Sequence, residues 1–477
     1  HEDILQLFMS PATNRRDDEY GGDAQKRLKF VVDILAAIRD RTGAGFTIGV
    51  RFNMDELFEG GYDVDLGIEI AQTLASTGNM DYLHCVMGNN WGAPSYLQTH
   101  LYGAAHWAEL AGRYRAALDI PVVYAGRVDS AEAAAAVINN GHADVVGIAR
   151  ANFADANIVS KARSGRLQDV RPCIGCNDCL HTRILEGLPF GCSVNPRTGR
   201  ELIPIEPVVD AQQVLVVGGG PAGLELAASC AERGHNVELW EAQEVLGGQM
   251  RLAATGIPEH ESFLRFIDFQ SRRLADLGVN VFTGNMAEES NLLDAEADVI
   301  ALATGATGSV LDVPGAHLPF VYNSHDAMRD PELLGNNVVV VAVEDHMQPL
   351  VVARRLSMMG KHVRVVYQTH GIAPVVGKYS IGATLSKLNA DGVSFQVMER
   401  VAAIEQGKLT LKHVYSGMTS ELTEFDSVVF STGGRANDEL FHKLKDQHPR
   451  VHILGDAYAP RRIWFATRQA YELAQQI

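Results

Sequence analysis

The chain has 477 residues, more than one ordinary domain holds, so two or three domains are expected. With 46% hydrophobic and 21% charged residues it has the make-up of a globular protein rather than a disordered one. Its net charge of -17, spread without acidic blocks, argues against nucleic acid and anionic membranes as partners, and no run of about 18 apolar residues marks a membrane span.

The chain opens on His1 rather than Met, in a polar, motif-like stretch with no visible targeting segment; this is the expectation for a fragment, and a cytoplasmic location is expected. Residues 24–42 (AQKRLKFVVDILAAIRDRT) space their apolar side chains for a helix. Strand-then-helix units then follow four times. The strands are expected at Phe46–Asn53, Tyr82–Met87, Pro121–Ala125 and Ala143–Ala149. The helices are expected near Asp63–Ser76, near Ala104–Leu118, from about Ser130, and near Asp155–Ser164. Such alternation predicts a parallel sheet, either half of an eight-fold barrel or part of an open sheet. A complete barrel takes about 250 residues, so the barrel alternative requires further units upstream.

Six cysteines are present, and Cys173, Cys176, Cys179 and Cys192 fall within 20 residues of one another. Two-residue gaps let three thiolates converge from one loop, with Cys192 completing a set of four. Four thiolates suit a 4Fe-4S cluster or a zinc ion, and the absence of two matched CxxC pairs favours iron–sulfur. Cys85 and Cys230 read as buried apolar residues.

After a linker at residues 201–212, Val214 opens a new α/β pattern. Gly218, Gly220 and Gly223 fill the places of a GxGxxG turn between an apolar strand and a helix, where glycine permits close approach of a pyrophosphate. Glu241 closes the next strand, the position of an acid that takes ribose hydroxyls. A third pattern starts at Asn337, with a helix near Pro349–Met359 and a strand at His362–Tyr367. Its turn, Val343-Glu344-Asp345-His346-Met347-Gln348-Pro349, carries bulky and acidic side chains where glycines would admit a phosphate. It reads as a dinucleotide domain that has lost its nucleotide. Arg127 follows Gly126, and Arg150 follows Ala149, in the loops after the third and fourth strands; with Arg51 they would suit a flavin phosphate.

Taken together, these motifs resemble the iron–sulfur flavoproteins of the old yellow enzyme class, which include trimethylamine, dimethylamine and histamine dehydrogenases and 2,4-dienoyl-CoA reductase. GVRFNMD, YAGR and GIAR look like that family's contacts to flavin mononucleotide (FMN). GGGPAG, GGQ at Gly247–Gln249 and GDA at Gly455–Ala457 look like its nucleotide domain, which would place Gly248, Gln249, Gly455 and Asp456 at bound ADP or FAD. The resemblance implies an α/β fold. Residues 1–169 would be the C-terminal half of a TIM barrel with FMN, and 170–200 a 4Fe-4S segment. Residues 213–331 and 440–477 would bind the adenine nucleotide, and 332–439 would be a degenerate NAD(P)-like domain. The two-residue gap from Cys176 to Cys179 and the degenerate second turn match the amine dehydrogenases rather than the dienoyl-CoA reductases. His1 matches the family's active-site histidine, and His84 stands where an amine dehydrogenase has an aspartate. Arg183 replaces a tryptophan of the cationic-amine pocket and would welcome a substrate carboxylate. The implied activity is amine dehydrogenation or N-demethylation, acting on an N-methyl amino acid or similar amine. Electrons would pass through the cluster to an electron-transferring flavoprotein, and a homodimer is expected. The alternative is an NAD(P)H-dependent enoate or dienoyl-CoA reductase.

Overall fold

A computed structural model describes residues 3–89, 94–184 and 186–477. The chain divides into two units, one formed by residues 1–152, 156–167 and 378–383, the other by residues 153–155, 168–377 and 384–477. Among the described residues, no helix is long and apolar enough to cross a membrane.

In the first unit, four parallel strands lie side by side in chain order: Gly49–Asn53, Tyr82–Val86, Val122–Tyr124 and Val145–Val146. Sequential order with a helix after each strand is barrel order; an open doubly wound sheet would reverse direction partway. Side-chain caps start the helices. Asp63 accepts from the Leu66 N–H ahead of Val64–Ser76, and Ser130 accepts from Ala133 ahead of Ala131–Asn139. Phe52, Leu83, Tyr114 and Tyr124 form the fully buried centre between sheet and helices. The fourth strand is shorter than expected, and the helix expected near Asp155–Ser164 is two pieces, Arg150–Ala154 and Ile158–Arg163. The break falls at Asp155, whose carboxylate instead accepts from the Arg171 N–H at 2.9 Å.

The second unit holds two five-stranded parallel sheets. One runs Val451–Ile453, Val299–Leu302, Gln213–Val217, Asn236–Trp240, Asn280–Phe282. The other runs Val321–Asn323, Ser427–Ser431, Asn337–Ala342, His362–Tyr367, Ser394–Gln396. In each, the strand that opens the pattern is central, and the turn after it faces the sheet's carboxyl edge, where ligands bind in such folds. An antiparallel sheet of Glu399–Glu405, Lys408–His413 and Thr419–Leu422 was not expected from sequence. Its charged residues mask the strand signal, while Val401, Ile404, Leu409, Leu411 and Leu422 pack with Phe425 and Phe430.

Candidate functional site

The glycine-rich turn is shaped by contacts that allow no side chain at two of its three positions. Gly218 has φ +107°, and a Cβ there would run into the Ala303 carbonyl; a Cβ on Gly223 would run into the Gly218 carbonyl. Gly220 differs. Its φ is -77°, and a Cβ there would find no protein atom within 4 Å. That open space lies at the N-terminus of helix Pro221–Glu232, where unpaired amides and the helix dipole favour an anion.

The flanking residues close around the same turn. Glu241 is buried and accepts from Gly219 N at 2.6 Å and Gln243 N at 2.7 Å, so this carboxylate braces the loop. Gly247 N donates to Gly219 O at 2.8 Å, which brings Gly248 against Gly220. Gln249 Nε2 donates to Asp456 Oδ2 at 3.0 Å, and Gly455, at φ +63°, packs on Ala222. Burial raises the Asp456 carboxyl above its ordinary value. Gly218, Gly220, Gly223, Glu241, Gly248, Gln249, Gly455 and Asp456 therefore surround one cradle, and its open floor fits a pyrophosphate.

The second turn is filled by the chain itself. The Glu344 carboxyl lies close enough to the backbone N–H groups of His346 and Gln348, at the start of helix Gln348–Met358, for them to favour its charged form, while its Oε2 is buried with no hydrogen-bond partner among the described residues. Gln348 Oε1 accepts from Ser431 Oγ at 2.8 Å and Gly433 N at 3.1 Å, bridging the cleft. Burial outweighs those two amides and raises Glu344 to about 7. A raised carboxyl keeps its proton in the folded state after the unfolded chain has released it. Stability is therefore lost as pH rises from the ordinary value of 4.5 through about 7. Glu344→Gln should remove this loss, so urea midpoints at pH 5 and pH 8 should converge in the variant relative to the parent protein; an unchanged difference would show that Glu344 is not the group responsible.

The four cysteines form no disulfide with one another and lie within electrostatic reach of one another. Cys173, Cys176 and Cys192 pack with Ile174, Val194, Met250 and Phe266. Burial, and then Asp178, pushes the Cys176 thiol up; burial, and then Cys173, pushes Cys192 up to about 12. Ligand binding would have to remove those protons. Among the described residues, no group of three or more His, Cys, Asp or Glu side chains is set to hold a metal ion. A single tetrahedral ion would draw thiolates to within about 4 Å of each other. Four thiols are also the donor chemistry of a 4Fe-4S cluster. Three elements anchor the loop. Arg171 donates to Glu225 at 2.9 Å and to Val194 O; Ser262 Oγ donates to Ile174 O at 3.2 Å; Thr467 Oγ1 donates to Ser193 O at 2.8 Å. Glu225 is 1% exposed; burial alone would raise it, but Arg171 and Arg273 hold it at about 2.

In the first unit, Arg51 and His84 are register partners on neighbouring strands and share a face. Burial, then the Arg51 charge, lowers His84 to about 4, so its imidazole is neutral at pH 7. Its Nε2 is buried without a partner. Asn53, two residues beyond Arg51, is 1% exposed with both amide atoms unpartnered. Gln98 donates to Met87 O at 2.8 Å and leaves its Oε1 buried and unpartnered. Arg150 donates to Gln98 O at 2.5 Å. Arg127, at φ +45°, pairs with Asp129 at 3.2 Å and donates to Tyr102 O at 2.6 Å; its neighbour Gly126 accepts from Tyr124 Oη at 3.3 Å. Ala149 stands just ahead of the helix that Arg150 opens. Orphaned buried amides are rare and mark a missing polar partner; together with the arginines they fit a flavin. Asn53 and Gln98 were not singled out from sequence, although Asn53 lies on the face of Arg51 by two-residue periodicity.

His1 lies outside the described residues. Arg183 sits on helix Asp178–Ile184, exposed, with no ion-pair partner among the described residues.

Residues 4–169 match the NADH:flavin oxidoreductase / NADH oxidase family, and residues 212–459 match the pyridine nucleotide-disulphide oxidoreductase family. The chain is 34% identical to a probable N-methylproline demethylase of Rhizobium meliloti (strain 1021), over 93% of this chain and 66% of that protein. It is 30% identical to an NADH oxidase of Thermoanaerobacter brockii, over 100% of this chain and 74% of that protein. The chain thus spans about two thirds to three quarters of the length of these relatives. The solved histamine dehydrogenase of Rhizobium sp. 4-9 superposes with a TM-score of 0.90 at 26% identity, covering 99% of this chain and 72% of that one. With both models matched in one chain, the chain belongs to the FMN-binding NADH:flavin oxidoreductase / NADH oxidase family, the old yellow enzyme class, in its form fused to a pyridine nucleotide-disulphide oxidoreductase module.

Proposed function

We propose that this chain is the larger part of an FMN- and 4Fe-4S-dependent enzyme that dehydrogenates or N-demethylates a secondary or tertiary amine and passes electrons to a separate flavoprotein acceptor. The observation that carries this direction is the second nucleotide turn, where the Glu344 carboxyl is buried among the residues that would be glycines and Gln348 joins Ser431 and Gly433. A turn filled in this way supports a domain without NAD(P)H, and so a flavin reduced by the substrate. Bound FMN would supply hydride acceptance followed by single-electron release. Arg51, Gly126, Arg127, Ala149 and Arg150 would hold FMN, with Asn53 and Gln98 as further polar contacts. Cys173, Cys176, Cys179 and Cys192 would hold the cluster, and the cradle at Gly220 an ADP or FAD. His84, neutral at pH 7, would donate or accept a hydrogen bond without repelling a cationic amine. His1 would complete the catalytic set. The protein would act in the cytoplasm as a homodimer.

The similarity to a probable N-methylproline demethylase supports an N-methyl amino acid as substrate. Arg183, exposed and without an acidic partner, would take its carboxylate. A charge-assisted pair of this kind contributes roughly 1.5–3 kcal/mol. The second possibility, an NAD(P)H-dependent enoate reductase, is favoured by the similarity to an NADH oxidase. Steady-state assays distinguish the two. An N-methyl amino acid with an artificial acceptor should turn over, while micromolar NADH or NADPH should leave the flavin oxidised. Arg183→Met should raise KM for the amino acid about ten-fold to a hundred-fold, at about 1.4 kcal/mol per factor of ten, and change KM for an uncharged amine much less. Rapid flavin reduction by NADPH would reverse the proposed direction; equal KM changes for both substrates would remove Arg183 from the pocket.

A further inference from the structure

Cys176 has a polar environment that holding a cluster does not require. Its Sγ lies 3.7 Å from Ser193 Oγ. The single hydroxyl proton of Ser193 goes to Asp178 Oδ2 at 2.6 Å. The other oxygen of Asp178 accepts from Arg462 Nη1 at 3.1 Å, and Arg462 also pairs with Glu186. Ser193 is 2% exposed and Asp178 8% exposed, so the carboxylate is buried, and among the described residues the cation paired with it is Arg462. His181 and His346 also face this group; burial holds His346 down at about 4, without charge at neutral pH. Arg462 continues the adenine-nucleotide cradle, since the preceding Arg461 N–H donates to Asp456 Oδ1 at 3.0 Å.

We propose that Ser193, Asp178 and Arg462 are positioning residues that set the reduction potential of the cluster bound through Cys176, an inference that rests on the cluster proposed above. The physical basis is charge and hydrogen bonding at a ligand sulfur. A buried carboxylate beside the cluster disfavours the added electron. It also draws the Ser193 proton away from sulfur, where that proton would stabilise the reduced cluster. Both effects lower the potential. Arg462 neutralises the carboxylate and so raises it. Through the segment 456–462, loading of the adenine cradle and the strength of the Arg462–Asp178 pair share one stretch of backbone.

The test is an anaerobic redox titration of the holoenzyme, followed by the electron paramagnetic resonance signal of the reduced cluster, with iron content measured alongside. Asp178→Asn, which keeps the shape, should raise the midpoint potential. Arg462→Met, which leaves the carboxylate uncompensated, should lower it. Adding Ser193→Ala to Asp178→Asn should reduce the upward shift, because the hydroxyl freed for sulfur is gone. Opposite signs for Asp178→Asn and Arg462→Met are the signature that mere loosening of the loop cannot produce. Unchanged potentials at full iron content, or shifts of one sign in both variants, would overturn the relay while leaving the cluster in place. Absence of iron from the parent protein would overturn the cluster itself and the relay with it. If Asp178→Asn loses iron, the sign of the shift in Arg462→Met decides.

Discussion

Gly220→Val is expected to leave the second unit folded and to empty its adenine-nucleotide cradle. Gly220 has φ -77° and ψ 179°, a conformation open to β-branched residues, and a Cβ there meets no protein atom within 4 Å. The added isopropyl group therefore displaces only what occupies the cradle. It covers the helix amides that would bind the pyrophosphate. Losing two charge-assisted hydrogen bonds at roughly 1.5 kcal/mol each corresponds to about a hundred-fold loss of affinity, before any steric term. Gly218→Val provides the contrast: at φ +107° and against the Ala303 carbonyl, it should impair folding itself. Nucleotide released by heat, quantified by chromatography, together with the thermal midpoint of each variant, checks both statements. Full nucleotide content in Gly220→Val would place the pyrophosphate elsewhere.

Cys176→Ala is expected to produce the other large effect. The parent protein, purified anaerobically, should carry about four iron atoms per chain, and the variant should lose the cluster. Substrate should still reduce the flavin in a single turnover, while transfer to the external acceptor should become the slow step. Rapid mixing with substrate alone, and then with substrate and acceptor, separates the two. If both steps keep their rates, the cysteine loop lies off the electron path; stoichiometric zinc without iron would replace the cluster with a structural ion. Cys85 and Cys230, buried in the cores of the two units, provide the control, since Cys85→Ala should leave iron content unchanged.

The features legible in the sequence were those that a few neighbouring residues impose. Four β-α units and the glycines at 218 and 223 announced a parallel sheet and a tight strand-to-helix turn, and four cysteines at close spacing announced a local cluster of thiols, because each depends on steric limits or reach within one short segment. The bulky, acidic residues of the turn at 343–349 were likewise readable as a departure from a glycine-rich turn. What fills it was not: the Glu344 carboxyl is buried there and raised by that burial, and Gln348 reaches Ser431 and Gly433, at and just beyond the end of a strand that joins the sheet about 80 residues later. The sheet at Glu399–Leu422 was hidden because its outward residues are charged and only packing reveals which face is covered. Asn53 and Gln98 became conspicuous only as buried amides without partners, a property of the folded neighbourhood rather than of residue type. Asp178 lies between two of the cysteines in sequence, and only the fold brings Arg462, 284 residues away, onto its carboxylate. Local sterics and spacing are written in short stretches of sequence, whereas burial, pairing and the resulting shifts in charge belong to residues that meet only after the chain has folded.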